Sequence, residues 1–400
     1  MRLPLSPFVF LVPLFASVAA TGSDLPSARV HCTLAASGGD DAPQFLRAVR
    51  ACPVVTIPAS TTIIIQTRLD MTGLRNRHIK LQGKIRFDPD IPYWTGNAFF
   101  IPFQTQVTFW LLGGENILFD GGGTLDGAGQ AWWDSYVTNT SLLRPITLTI
   151  YQAKNALVHS IQMINGPEWF NLVNEGEHVI YKNISISAVS TSNNMPRNSD
   201  GWDIYRSNDV TIVDSIIHND DDCVSFKPNS TNVRVENLDC TGSHGISVGS
   251  LGQYPGVYDI VENVFVKNIK MANAQNGARV KAWAGPNVGS GTVKNITFQN
   301  FIETAVDNPV VIDQCYMTNT TACAQFPSNI YIQDIWFNNI TGTGTRSVVA
   351  SLLCSPDGRC SNINVNDFSL SYPAGMARYS CQNVNLTGNA ASLFSPCTVT

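Results

Sequence analysis

Charge is scarce in this 400-residue chain: 25 basic and 30 acidic residues make up only 14% of it, against roughly 25% in an ordinary globular protein. Hydrophobic residues reach 44%, so this is not the charged, aromatic-poor composition that stays disordered. A net charge of −5 leaves no general field to attract a polyanion, which argues against nucleic acid as a partner. Long apolar runs are missing as well. Beyond the first 20 residues nothing offers 18 uninterrupted apolar positions, so no membrane-spanning helix is expected. There is no C-x-x-C, and the six histidines are scattered, so neither a metal nor another cofactor is expected. No Ser/Gly-rich or Pro-rich linker divides the chain.

What is present begins with a secretory pattern over residues 1–20: Arg2, an apolar stretch from Phe8 to Leu14, and small residues Val18 and Ala20 before a cut at Thr21. The rest, 21–400, is expected to be a secreted monomer of one domain. Ten cysteines, an even number, suit an oxidising compartment. Spacing does not dictate connectivity, but short separations favour Cys32 with Cys52, Cys223 with Cys240, Cys354 with Cys360 and Cys381 with Cys397, leaving Cys315 with Cys323. Sequons at Asn139, Asn183, Asn229, Asn295, Asn319, Asn339 and Asn385 are candidate glycan acceptors.

From about residue 150 a short alternating strand with a central Asn or Asp recurs. Anchored on Asn183, Asp214, Asn237, Asn263, Asn295, Asp334 and Asp367, the steps run from 23 to 39 residues. Repeats of this length, with strands and little helical periodicity, point to a solenoid whose coils bury one face against the next. The expected fold is all-β, a right-handed parallel β-helix, with its recurrent Asn forming ladders at the turns. A β-sandwich or propeller also uses short strands, but uneven steps suit a solenoid with loops on one face better. Ala42 to Cys52 has helical spacing at Phe45, Leu46 and Val49 behind Asp40 and Asp41, and is expected to cap the first coil. The Cys-rich tail from Cys354 should cover the last.

Polar clusters interrupt the pattern at Asn198-Ser-Asp-Gly-Trp-Asp203, Asn219-Asp-Asp-Asp-Cys223, Gly242-Ser-His-Gly-Ile246 and Gly277-Ala-Arg-Val-Lys281. Asp200, Asp222 and His244 are separated by two equal steps of 22 residues, which on a solenoid places them in one column on rungs roughly 4.8 Å apart. Carboxylates so close repel, so one should keep its proton and supply the acid of an acid/base pair. Asp221 and Asp222 reach one cleft only where the chain bends between them, as at a strand end. Taken singly, each Asp could serve an Asx-turn or calcium. The equal steps, His244, and Arg279 with Lys281 on one strand face favour a site. Two cations beside carboxylates form a clamp for an anionic sugar.

The ordered set Asn198-Ser-Asp200, Asp221-Asp222, Ser243-His-Gly245 and Arg279-Val-Lys281 resembles the polygalacturonase family, glycoside hydrolase family 28, whose motifs read N-T-D, D-D, G-H-G and R-I-K. Gly123-Thr-Leu-Asp-Gly-Ala-Gly-Gln-Ala-Trp-Trp133 is similar to that family's upstream glycine-rich segment. The resemblance implies a right-handed parallel β-helix that hydrolyses α-1,4-linked galacturonic acid in pectic polysaccharide, with inversion and without a metal. It also implies Asp221 as general acid, Asp200 and Asp222 as joint activators of water, and His244 as a partner that helps hold Asp221 protonated. Arg279 and Lys281 would bind the uronate carboxylate, with Asn198 among the substrate contacts. Carboxyl separations of about 6.5–9.5 Å are expected of an inverting site.

The segments Asp200 to Arg206, Ser225 to Ser230 and Ser243 to Tyr254 are most similar to fungal exopolygalacturonases, which remove single galacturonic acid units from the non-reducing end. Such action needs a groove blocked on one side. Trp202, Arg206 and Lys227 are expected in that pocket, with core packing as the other reading of Trp202. Ser199 and Ser243 depart mildly from the family pattern, and Asn308 stands where many endo-acting members carry a substrate-contacting Tyr. The alternatives are an endo-polygalacturonase or hydrolase of decorated pectin, a pectin lyase, and a noncatalytic carbohydrate-binding β-helix.

Overall fold

Alternation of apolar and polar residues produces strands that pair with the strand one coil further along. The computed structural model describes residues 31–399, so the secretory pattern of residues 1–20 lies outside the described residues. Twenty-six strands join one continuous sheet, wound as a right-handed parallel β-helix. Each later coil contributes a short strand and a long bent one. The short strands Leu148–Tyr151, Asn171–Asn174, Trp202–Tyr205, Asp222–Phe226, Gly245–Leu251, Asn276–Trp283 and Asn308–Tyr316 stack in parallel, in that order. Trp202, Val224, Ile246, Ala278 and Val310 are register partners in turn, 22, 22, 32 and 32 residues apart. All five point inward and are buried, and each apolar side chain of Val or Ile size contributes about 1.5–3 kcal/mol there.

The Asn repeat resolves into two ladders, and the sequence anchors mix them. One runs from Asn208 through Asn232 and Asn263 to Asn295, each amide nitrogen donating to the side-chain oxygen one coil earlier at 2.7–3.0 Å. The other runs Asp214, Asn237, Asn268, Asn300 and Asn339 at 2.8–3.0 Å. From Asn232 and Asp214 onward these residues have φ between 52° and 59°, a left-handed bend that Asn and Asp tolerate. Of the seven sequons, six are exposed and Asn229 is half-buried.

The helix Ala42–Ala51 buries Phe45, Ala48 and Val49, with Phe45 edge-on to Trp110 in the first coils. Disulfides join Cys32–Cys52, Cys223–Cys240, Cys315–Cys323, Cys354–Cys360 and Cys381–Cys397, all five as the short separations favoured.

One inward position carries a carboxyl. Glu303 is buried with neither oxygen hydrogen-bonded, directly beneath Gly277, where any Cβ would collide with its Oε1. Burial pushes its pKa well above the ordinary value. The folded protein therefore keeps a proton that the unfolded chain loses above its own pKa, about 4.3. The stability Glu303 contributes is present in full below that pH and declines as pH rises toward the folded pKa. Thermal melts from pH 4 to 8 should show a falling melting temperature, and Glu303→Gln should flatten that slope. An unchanged slope in the variant would refute the assignment.

Candidate active site

The bend between Asp221 and Asp222 falls at a strand start. Asp222 opens its strand, and the register slips between Asp222, paired with Gly245, and Val224, paired with Ile246. That slip moves His244 one position off the expected column. It sits beside Asp221 rather than Asp222, its backbone N–H donating to the Asp221 carbonyl at 2.8 Å and its Nδ1 lying 3.1 Å from Asp221 Oδ1. Asn219 staples the turn by donating from Nδ2 to the carbonyls of Ser199, Asp221 and Asp222. The two departures from the family motifs bind here too. The Ser199 hydroxyl donates to Asp220 at 2.6 Å, and the Ser243 hydroxyl donates to the Asp221 carbonyl at 2.9 Å.

One carboxylate oxygen from each of Asp200, Asp221 and Asp222 lies within 4.8 Å of the other two. This corrects the expected 6.5–9.5 Å: the three rise from adjacent coils on one floor, not from opposite walls, and the spacing alone resembles the roughly 5–5.5 Å of retaining sites. Their environments differ sharply. Asp200 is buried, and burial followed by the charges of Asp203, Asp221 and Asp222 drives its pKa well up. Burial would raise Asp222 too, but Lys281, Arg279 and Lys227 outweigh it and hold that carboxyl ionised. Asp222 accepts from Lys281 Nζ and the Ser247 hydroxyl, each at 2.6 Å. Asp221, the most open of the three, accepts from the Asp222 N–H at 2.8 Å and from Asn198 Nδ2 at 3.3 Å. Burial lowers the pKa of His244, but its hydrogen bond to Asp221 and the charges of Asp221, Asp222 and Asp220 more than reverse this, leaving it raised.

The expected clamp is divided. Lys281 is engaged with Asp222, while Arg279 has its Nε without a hydrogen-bond partner. Both cations lie over the Tyr316 ring, 5.3 Å for Arg279 and 5.5 Å for Lys281. Lys227 lines the cleft and lies 3.0 Å from Asp203. Burial pushes Asp203 up to about 7 despite that cation. Two expectations fail. Trp202 is fully buried, edge-on to Tyr181 inside the coil, because its side chain alternates inward on a strand whose Asp203 points outward. Arg206 lies in a different hollow, with Arg68 and Phe99, 3.8 Å from Glu175, because the strand ends at Tyr205 and the chain turns at Arg206 with φ 50°. Asn308 and Arg279 do not line the cleft, and His244 lines a neighbouring hollow with Gln275 and Asp307. Asn308 donates to the Gln275 carbonyl and to Asn276.

The carboxylates open into a cleft of about 540 Å³, within the range of small-ligand sites. A larger hollow of about 650 Å³ near the C-terminal end has Asp357 as its one carboxylate, so it lacks an acid/base pair. Sequence reasoning missed several residues of the cleft: Gln104, Gln106, Arg144, Glu168, Trp169 and Tyr316. Gln104, Arg144, Glu168 and Trp169 lie outside the strands of the coil, Gln106 opens a short strand, and Tyr316 ends a stacked one, so no periodicity marks them. Two loops meet across the groove. The Gln104 N–H donates to the Tyr254 hydroxyl at 3.2 Å, and Gln104 Nε2 donates to Gln253 Oε1 at 3.0 Å. The cleft is bridged beside its carboxylates.

A parallel β-helix with three clustered carboxylates beside cations, the pKa of one pushed up by burial and of another pushed down by Lys281, is the equipment of an acid/base glycosidase. The profile of Glycosyl hydrolases family 28 matches residues 50–393, and the chain belongs to that family. It is similar to an exopolygalacturonase of Cochliobolus carbonum, 44% identical over 90% of this chain and 85% of the relative. It is also similar to a probable exopolygalacturonase X of Aspergillus fumigatus, 42% identical over 89% of this chain and 86% of the relative. Among solved structures, the endo-xylogalacturonan hydrolase of Aspergillus tubingensis superposes with a TM-score of 0.84 at 31% identity, covering 93% of this chain and 99% of that one.

Proposed function

We propose that this enzyme cleaves α-1,4-galacturonosyl linkages of pectic polysaccharide from the non-reducing end, releasing galacturonic acid outside the cell. The observation that carries exo action is the bridge from Gln104 to Gln253 and Tyr254, which turns a groove into a dead end next to the reacting carboxylates. The relatives named as exopolygalacturonases support the same reading.

In this mechanism Asp221 protonates the leaving oxygen. His244, whose Nδ1 lies 3.1 Å from Asp221 Oδ1, orients that carboxyl toward the leaving oxygen. Asp222, kept ionised by Lys281, accepts the proton of the attacking water while Asp200 orients that water. Arg279 receives a uronate carboxylate, with Tyr316 holding the guanidinium in place. Inversion rests on family membership, since the carboxyl spacing alone would not select it.

The test is the first product from polygalacturonate and from reduced-end oligomers, with its anomeric configuration read by proton NMR. Galacturonic acid alone, first released as the β-anomer, is expected. Mixed oligomers with a fast viscosity drop would instead identify an endo enzyme, and an ultraviolet-absorbing double bond a lyase. Opening the bridge with Gln253→Ala and Tyr254→Ala together should add di- and trigalacturonate to the products. If release stays purely monomeric in that variant, the bridge does not set the mode of action.

A further inference from the structure

Glu168 is a fourth acidic group in the cleft, outside the motif carboxylates and their partners Asp203 and Asp220. It lines the same space as Asp200, Asp221 and Asp222 and is 8% exposed. Arg144 lies behind it, Nη2 3.9 Å from Glu168 Oε1. Arg144 is itself anchored, donating from Nη1 to the carbonyls of Pro167 and Arg197 and from Nη2 to Asn198 Oδ1, with its guanidinium 3.9 Å over the Tyr136 ring. In its hydrogen-bonding orientation, Gln106 donates to both Glu168 oxygens at 3.2 and 3.3 Å. Asn198, the next link, donates onward to Asp221. Glu168 is thus held from behind, on rigid supports, and joined through Arg144 and Asn198 to the proposed proton donor.

Resting on the exo reading above, we propose that Glu168 reads the free C4 hydroxyl of the terminal sugar and so makes the enzyme specific for chain ends. Three arguments point the same way. A Glu side chain supplies no positive charge to a uronate carboxylate, so this wall suits a hydroxyl, while the carboxylates are left to Arg279 and Lys227. Burial, partly offset by Arg144 and Gln106 and reinforced by the charge of Asp221, pushes Glu168 up to about 7, so it can both donate to and accept from a hydroxyl. Only the terminal residue has that hydroxyl, because in every interior residue the C4 oxygen is locked in a glycosidic bond. A site built to bond a hydroxyl rejects the analogue lacking it, since its own polar groups are left unpaired.

The experiment compares trigalacturonate with the same trimer carrying a 4-deoxy sugar at its non-reducing end. For the native enzyme, kcat/KM should be lower on the deoxy trimer by about 100-fold or more. Glu168→Ala should lose about 10–100-fold on trigalacturonate and little further on the deoxy trimer, so the preference collapses. Glu168→Gln, which keeps shape and hydrogen-bonding capacity, should retain most of it. Equal rates on the two trimers by the native enzyme, a measurement independent of any variant's folding, overturn the inference. So does a folded Glu168→Ala enzyme with the full preference intact. If galacturonic acid is still the sole product in those cases, exo action survives without it. Mixed oligomers from the native enzyme would instead remove the reading on which it rests.

Discussion

Asp221→Asn is expected to lower kcat by about 10³–10⁴-fold, the upper part of the range for a positioned general acid, with KM changed little. Asn has the size of Asp and can still accept the Asp222 N–H, so the turn stapled by Asn219 should persist. What it cannot do is deliver a proton to a sugar oxygen, whose departure as an alkoxide is otherwise prohibitive. The measurement is steady-state kinetics on trigalacturonate together with a thermal melt of the same sample. A variant that melts like the native enzyme and retains a tenth of its kcat would show that the proton comes from elsewhere. For a binding protein without catalysis, native and variant alike would show no turnover while still holding pectate.

Removing Lys281 should cost both fold and activity, through one contact. Its Nζ and Asp222 Oδ2 are 2.6 Å apart, with 7% and 1% of the side chains exposed. Lys281→Met leaves the carboxylate buried without its main partner, a loss of about 3–5 kcal/mol. Asp222 then avoids the cost by taking a proton, which removes the base. Turnover should therefore fall by at least about 10²-fold even in molecules that stay folded. Adding Asp222→Asn to Lys281→Met should restore much of the stability, because a neutral amide needs no counter-ion, while activity stays absent. A double-mutant cycle in denaturant melts reads the coupling. Additive effects at the two positions would sink the claim that this pair acts as one unit.

How much of this was legible in the chain follows from distance along it. The β-helix and its Asn ladders repeat the same local choice every coil, so periodicity exposed them. Even there, two ladders of near-equal step were read as one, because the side-chain pattern does not say which turn an Asn occupies. The motif carboxylates were visible as clusters at equal steps of 22 residues. Trp202 and Arg206 were misplaced for a related reason: adjacency to Asp200 in sequence says nothing about which way a side chain points from a strand.

The linear order of residues was enough for the coil and the acidic cluster, and short separations favoured the cysteine pairs, since each depends on spacing within one or two windings. Three-dimensional packing alone decided which carboxyl loses its proton, because that turns on whether Lys281, 59 residues away, reaches Asp222 rather than Asp200. It also decided that two loops meet over the cleft, through a contact between residues 150 positions apart. Electrostatic free energy depends on separations of a few ångströms and on access of water, and neither is written in a string of letters.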